Sequence, residues 1–310
     1  MQTIRLSEVS IEGLSEIFEQ EIRCWKKELF WDYRPAVELI KRYVSSKSLP
    51  GYALINECGA ILGYSYYIVD QPVAYIGNMF VRMERASPEV CAHLFRRTLL
   101  ALKAKSRVTR IECQTFAFNF NFAPLFEHEG FQILDRHFLT LSLDQIDGDL
   151  GSPAGLNIIP WDRAYLTRAA QAIYDSYRGS PDYELCRDYQ SSEGCMRFLL
   201  NLVDNPGCGS FSKETSYLAL DAGGNVCAVL ISSRIAPDTG MIPQISVRKK
   251  FQGQGIGSLL LKTYFQECRR RGFRRVTLSV TGQNQQAYRL YLRLGFRKTK
   301  DFHAYIWARQ

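Results

Sequence analysis

The densest grouping of residues that could do chemistry is Gln252-Gly253-Gln254-Gly255-Ile256-Gly257. It follows an apolar run, Met241 to Val247, and precedes a stretch from Ser258 to Cys268 that is apolar at helical spacing. The order is therefore strand, glycine turn, helix. That order aims unpaired backbone N–H groups and the positive end of a helix dipole at one point, which suits a phosphate. The glycines allow positive φ and close approach of a ligand to the backbone. A nucleoside-triphosphate loop requires Lys-Ser/Thr after its last glycine, where this chain has Ser258-Leu259. A dinucleotide fingerprint requires a third glycine where Ser258 stands, and an acidic residue closing the second strand. Here that strand, Arg275 to Val280, runs into Thr281-Gly282. Taken alone, the turn reads equally well as a helix cap.

The residues downstream decide between these readings. Asn284-Gln-Gln-Ala287-Tyr-Arg-Leu290-Tyr291-Leu-Arg-Leu-Gly295-Phe296 follows the second strand directly. Gln-x-x-Gly-x-Gly after a strand, then Asn-x-x-Ala-x-x-Leu-Tyr-x-x-x-Gly-Phe about 30 residues on, strongly resembles the GCN5-related N-acetyltransferases (GNAT). Each half is common by chance, and both in this order and spacing are specific. The resemblance spans roughly residues 155–310 and is strongest over 241–296.

The resemblance implies acetyl-CoA as cosubstrate, with no metal. The pantetheine arm is expected to pair with the edge of the strand at Ile245 and Val247, and Asn284 to contact the arm. The N–H groups of Gln252, Gly253, Gln254, Gly255, Ile256 and Gly257 are expected to hold the pyrophosphate. Tyr291 stands where the family places its general acid, and an unperturbed phenol titrates near pH ~10. Some relatives carry a Glu on the strand before the turn, whereas residues 241–247 hold no acid. Gln244 is the only side chain there able to orient a water, and the nearest acid, Asp238, falls in a turn. A water relay, or an acceptor amine of low pKa, is the expected route for the proton.

In this fold the first helix, its loop and the second helix shape the acceptor pocket. Here the segment is Tyr174 to Tyr189, with four carboxylates and four tyrosines. These could receive a cationic amine through charge and cation–π contact, or form an ordinary solvated loop. The function expected is transfer of an acetyl group to a primary amine of a small molecule, by direct attack in a ternary complex. The alternatives are acetylation of a protein N-terminus or lysine, and non-catalytic sensing of acyl-CoA. Retention of the Tyr291 hydroxyl argues against the sensor.

The elements that must position these residues recur along the chain. A β-α-α-β-β-β-α-β-α-β plan occurs twice. Val81-Arg82 matches Val247-Arg248 at an offset of 166, and Asn119, Leu125-Phe126 and Gly130-Phe131 match Asn284, Leu290-Tyr291 and Gly295-Phe296 at 165. The fold expected is α/β, a mixed sheet in two tandem GNAT-like acyl-CoA N-acyltransferase domains. Residues 1–144 form the first domain, 145–153 (with Asp, Gly and Pro) the linker, and 154–310 the catalytic domain. The first copy has Glu84-Arg85-Ala86-Ser87-Pro88-Glu89 in place of the glycine turn and Phe126 in place of Tyr291. It is therefore expected to be degenerate, without acyl-CoA binding. The aromatic stretch Phe116 to Phe122 reads as core of that copy rather than a ligand box.

Length and composition suit a two-domain globular protein, with 46% hydrophobic and 23% charged residues among 310. No apolar run reaches the length of a membrane span, and the chain opens directly on a strand without a signal-peptide pattern. Nine cysteines are scattered singly, as reduced core residues of a cytoplasmic protein would be. The net charge of +8 concentrates between Arg248 and Arg275, where nine basic residues face one acid, Glu267. A basic flank beside a phosphate turn suits coenzyme A. Arg269 to Arg271 also suit a helix C-terminus, and nothing pairs the patch with stacking aromatics as nucleic-acid binding would need. The oligomeric state is not legible in the sequence.

Overall fold

The paired strands Gly51–Ile55 (β2) and Ile61–Asp70 (β3) form the hairpin that Cys58-Gly59-Ala60 announces, with Gly59 at φ 78 in its turn. This hairpin is the centre of the first of two units into which the computed structural model divides. The structure describes residues 1–116, 118, 120–145 and 156–309. Unit one is Met1–Arg136 with Asp301–Gln310, and unit two is His137–Lys300.

In unit one, Gln2–Arg5 (β1), the helices Ile11–Leu29 (α1) and Arg34–Ser45 (α2), β2 and β3 lead to Val73–Val81 (β4). The helix Pro88–Lys103 (α3), the strand Arg110–Thr115 (β5), the helix Ala123–His128 (α4) and the strand Gln132–Ser142 (β6) follow. The sheet runs β1-β2-β3-β4-β5, antiparallel except for the parallel β4/β5 pair, and the end of the chain pairs antiparallel with β5.

In unit two come Asn157–Pro160 (β7), the helices Leu166–Tyr177 (α5) and Ser192–Asp204 (α6), and the strands Ser210–Phe211 (β8), Tyr217–Leu220 (β9), Val226–Ala236 (β10) and Thr239–Val247 (β11). The helix Ile256–Arg270 (α7), the strand Arg275–Thr281 (β12), the helix Gln285–Arg293 (α8) and the strand Arg297–Ala308 (β13) complete the chain. The sheet order is β7-β9-β10-β11-β12, with β8 beside β10 and residues 137–142 of β6 beyond β12.

The repeat is visible residue by residue. β4 and β11 have matching ends at an offset of 166, and each makes four parallel pairs before its ladder stops. Each carries an extra residue against its antiparallel neighbour, Gly77 in β4 and Pro243 in β11, again 166 apart.

Three features differ from the sequence expectation. Leu139, Leu141 and Leu143 alternate and are buried in the second core, so period-2 burial assigns 137–143 to unit two rather than to the first domain. Tyr305 is buried in the first core, stacked on Phe126 at 3.7 Å, so the chain's end belongs to unit one. The last strand begins at Arg297, where the exposed Arg297-Lys298-Thr299 gives no alternation to read in the sequence. Asn119 and nearly all of the linker expected at 145–153 lie outside the described residues.

Candidate active site

β11 and β12 pair only over Thr239–Ile242 and Arg275–Leu278. Pro243 then interrupts the ladder, since proline has no N–H to give and the bulge there turns the strand. Beyond it β11 stays paired with β10, through Gln244 to Val247 against Ile231 to Ala228. The Arg248 N–H points to β10, donating to Cys227 at 2.9 Å. Alternation along an antiparallel strand then turns the main-chain groups of Ile245 and Val247 to the side that β12 has left. Both residues stand at an open edge, their side chains packed on the second core.

That edge leads into the glycine turn. Gly253 and Gly255 have φ of 76 and 81, and a Cβ at either would meet nothing within 4 Å, so conformation rather than space requires glycine there. Among the described residues, the backbone N–H groups of Gly253, Gln254, Gly255, Ile256 and Gly257 meet no protein acceptor. Gly255 caps α7 without a side chain, so the helix end stays open to an anion. Gln252 differs from expectation: its N–H bonds to the Lys249 carbonyl at 3.1 Å and is not a free donor. Its side chain instead holds the Val247 carbonyl at 2.9 Å, while that of Gln254 holds Lys250 at 3.1 Å, and together they fix the turn.

The basic excess divides into two ends. Arg248, Lys249 and Lys250 join Asp175, Arg178 and Gly179 around a groove of about 510 Å³ before the turn, with Arg248 tied to Asp175 at 2.5 Å. Arg270 and Arg271 clasp Glu267 at the far end of α7, at 2.7 and 2.5 Å, and hold its carboxyl down at about 2. Fifteen helical residues at ~1.5 Å each separate the two ends. The arginines from Arg269 onward therefore flank the helix C-terminus and not the phosphate turn. Asp238 lies at that end as well, bound to Arg275 at 3.3 Å, which removes it as a base for the site.

The chemistry-bearing side chains gather where α5, β11, β12 and α8 meet. Tyr291 of α8 is buried and forms an edge contact with Phe296. Among the described residues its hydroxyl has no hydrogen-bond partner, and burial and then the Asp182 carboxylate push it well above the usual phenol range. Asp182, only 7% exposed, accepts from the Thr281 hydroxyl and, at 2.7 Å, from the Asn284 side-chain amide. Asn284 also caps α8, its oxygen accepting from the Ala287 N–H at 3.2 Å. Its side chain therefore serves Asp182 and the helix, which leaves one amide N–H for a coenzyme contact. Tyr177, half-buried at the end of α5, donates to Gln244 Oε1 at 3.2 Å and stacks on Tyr189 at 4.1 Å. Burial and then Asp182 raise its hydroxyl too.

The four carboxylates of the acceptor segment are thus not equivalent. Asp175 pairs with Arg248 and Asp188 with Arg197 at 2.8 Å, and Glu184 meets the Gln190 amide at 3.4 Å. Among the described residues, Asp182 is buried with neutral donors and no cation. No spacing in the sequence separates it from the other three, because its role arises from residues about a hundred positions away.

The corresponding parts of unit one are closed. Ser87 caps α3 with its own hydroxyl on the Val90 N–H at 3.3 Å, Pro88 opens the helix and Glu89 adds negative charge. The Arg85 and Ser87 N–H groups are spent within the turn, and Met83 N–H is held by Gln20. Phe126, in the place of Tyr291, is core. Phe122 is core as well, and Phe116 stacks on Phe302 at 4.4 Å. Among the described residues no group of His, Cys, Asp or Glu could hold a metal ion, and no helix is long and apolar enough to cross a membrane.

Comparison with known proteins places this geometry. Residues 171–296 match the family model described as Acetyltransferase (GNAT) family. N-alpha-acetyltransferase 30 of Schizosaccharomyces pombe is 30% identical over 95 residues, which is 30% of this chain and 63% of that protein. The chain spans less than two thirds of the curated relatives it matches. Among solved structures, a GCN5-related N-acetyltransferase from Sphaerobacter thermophilus superposes with a TM-score of 0.69 over 99% of this chain and 95% of that one, at 17% identity. A tandem GNAT protein from the clavulanic acid biosynthesis pathway superposes with 0.58 over 84% and 82%, also at 17% identity. Residues 171–296, which hold the strand, the turn and both helices of the site, thus carry the pattern of the GNAT acetyltransferase family, and the chain shares its fold with GNAT structures that include a tandem protein.

Proposed function

We propose that the chain transfers an acetyl group from acetyl-CoA to a primary amine of a small molecule, by direct attack in a ternary complex, with the chemistry confined to residues 154–310. The observation that carries this reading is the open edge of β11 leading into five free N–H groups at a helix N-terminus. A pantetheine amide fits the first feature and a pyrophosphate the second. Gly253 to Gly257 receive the pyrophosphate, Ile245 and Val247 the arm, and the groove of Arg178, Lys249 and Lys250 adds positive charge beside them.

The amine attacks in its neutral form, any ammonium proton having first passed to solvent, and its nitrogen adds to the thioester carbonyl carbon. A C–N bond forms, the C–S bond breaks, and one proton must pass from nitrogen to sulfur. Asp182 draws the amine into place and takes the first share of that proton. Tyr291 is held protonated and faces a departing thiolate that is a weaker base than its own phenolate would be, so it stabilises the sulfur as a hydrogen-bond donor. It passes its proton on only as the amine's proton replaces it, and coenzyme A leaves as the thiol with nothing left over. This relay runs without a water on the Gln244 carbonyl oxygen, which accepts from Tyr177.

A protein N-terminus is the second reading, favoured by the name of the yeast relative. Nine free thiols, five of them buried, support a reducing compartment such as the cytoplasm. The capped, acidic turn of unit one supports a first copy that binds no acyl-CoA. Release of free thiol from acetyl-CoA, followed across a panel of amines and N-terminal peptides, tests the assignment. Amine-dependent release is expected, and binding of acetyl-CoA without release to any acceptor would contradict it.

A further inference from the structure

Resting on that reading, we infer that the acceptor is a primary amine that also bears a hydrogen-bond-accepting oxygen, its nitrogen received by Asp182 and its oxygen by the Gln244 amide. Gln244 follows the bulge at Pro243 and is 2% exposed. Its oxygen is satisfied by Tyr177, but its Nε2, which carries two N–H donors, is buried without a partner among the described residues. A buried amide left in that condition costs about as much as a lost hydrogen bond, and folded chains retain few such groups without a use. Ser246, two residues on and hence on the same face of β11, also buries a hydroxyl without a partner.

The equivalent of Gln244 in unit one shows that the fold can fill this position. Asn78, 166 residues earlier, donates to Glu21 at 2.6 Å and to Tyr64 at 3.1 Å, and is satisfied within the chain. The copy with the open turn thus keeps its donor available, and the copy with the closed turn does not.

Charge identifies the other half of the acceptor. Asp182 is buried and meets only neutral donors, so it favours a cationic or polarised nitrogen over an anion. Tyr177 adjoins both groups, donating to Gln244 and feeling the Asp182 charge. One small molecule bridging them presents nitrogen to the carboxylate and oxygen to the amide. Amino alcohols, amino sugars and α-amino carbonyl compounds meet that requirement. Plain alkylamines and the lysine side chain do not.

The test compares matched amines, glycinamide with butylamine and 2-aminoethanol with propylamine, in the full chain and in Gln244→Met. The unaltered protein is expected to favour the oxygen-bearing partner about 10- to 100-fold in kcat/KM, the range for a buried donor left unpaired. Gln244→Met is expected to reduce that preference at least tenfold. Taking the ratio between variants cancels the difference in amine basicity, and acetyl-CoA titration confirms that the variant is folded. An unchanged preference in Gln244→Met, or no preference in the unaltered protein, would overturn the inference while leaving acetyl transfer intact. Failure of the unaltered protein to bind acetyl-CoA would overturn the underlying reading as well.

Discussion

Tyr291 and Asp182 form a pair in which one group was legible in the sequence and the other was not. Tyr291 falls in a local pattern, eight residues after the turn that ends β12, and its type alone marks it as a proton donor. Asp182 becomes special only through Thr281 and Asn284, which the fold brings to it from across the chain. Asn284 is a motif residue whose side chain also holds Asp182 and caps α8, a duty that the motif alone does not reveal. Tyr291→Phe removes a hydroxyl without a protein partner, so the fold and acetyl-CoA binding should persist while kcat falls about 10²-fold, as loss of a general acid does. Steady-state kinetics and coenzyme titration on the same sample separate those effects. Because its hydroxyl is raised above the usual phenol value, the rate should show no decline from Tyr291 between pH 7 and 10. A basic limb in that range that vanishes in Tyr291→Phe would contradict the assignment.

At the scale of elements, the turn between β11 and α7 was readable because glycine at positive φ is a backbone requirement and not a packing one. Substitution separates its members. Gly255→Ala places a Cβ at φ 81 and should cost about 1–2 kcal/mol of backbone strain, with acetyl-CoA affinity falling accordingly. Gly257 stands in the first turn of α7, and a Cβ there would touch Val247 and Leu290 at 3.6 and 3.8 Å, ordinary contact. Gly257→Ala should leave the melting temperature unchanged or raise it, by up to ~1 kcal/mol of helix stabilisation. Thermal melts of the two variants check the contrast. The placement of the basic residues was less legible, since a linear count cannot tell the N-terminal end of α7 from the C-terminal end that Arg270 and Arg271 occupy.

At the scale of the whole molecule, the duplicated order and the two cores were evident from offsets between residues. The exact division was not, because Leu139, Leu141 and Leu143 at one boundary and Tyr305 at the other are apolar residues that would suit either core. Unit one also buries Glu21 completely, with Tyr64, Trp25 and Asn78 donating to it at 2.5, 3.2 and 2.6 Å. Burial, the largest influence, outweighs these bonds and pushes its carboxyl from 4.5 up to about 7. A raised pKa means that the folded state holds the proton more tightly than the unfolded one. Its contribution is complete below pH 4.5, declines as pH rises toward 7, and is gone above, about 3 kcal/mol in all. Denaturant melts from pH 4.5 to 8 should record that decline for the intact chain and a flatter dependence for Glu21→Gln.

Acetyl transfer by this chain requires one open turn for the pyrophosphate, beside one open strand edge. Isothermal titration of the purified protein with acetyl-CoA, reading stoichiometry, tests this most directly. The expected result is a single site per chain, weakened or lost in Gly255→Val. Two sites would contradict the closed turn of unit one, and no binding would contradict the assignment of Gly253 to Gly257 as the pyrophosphate site.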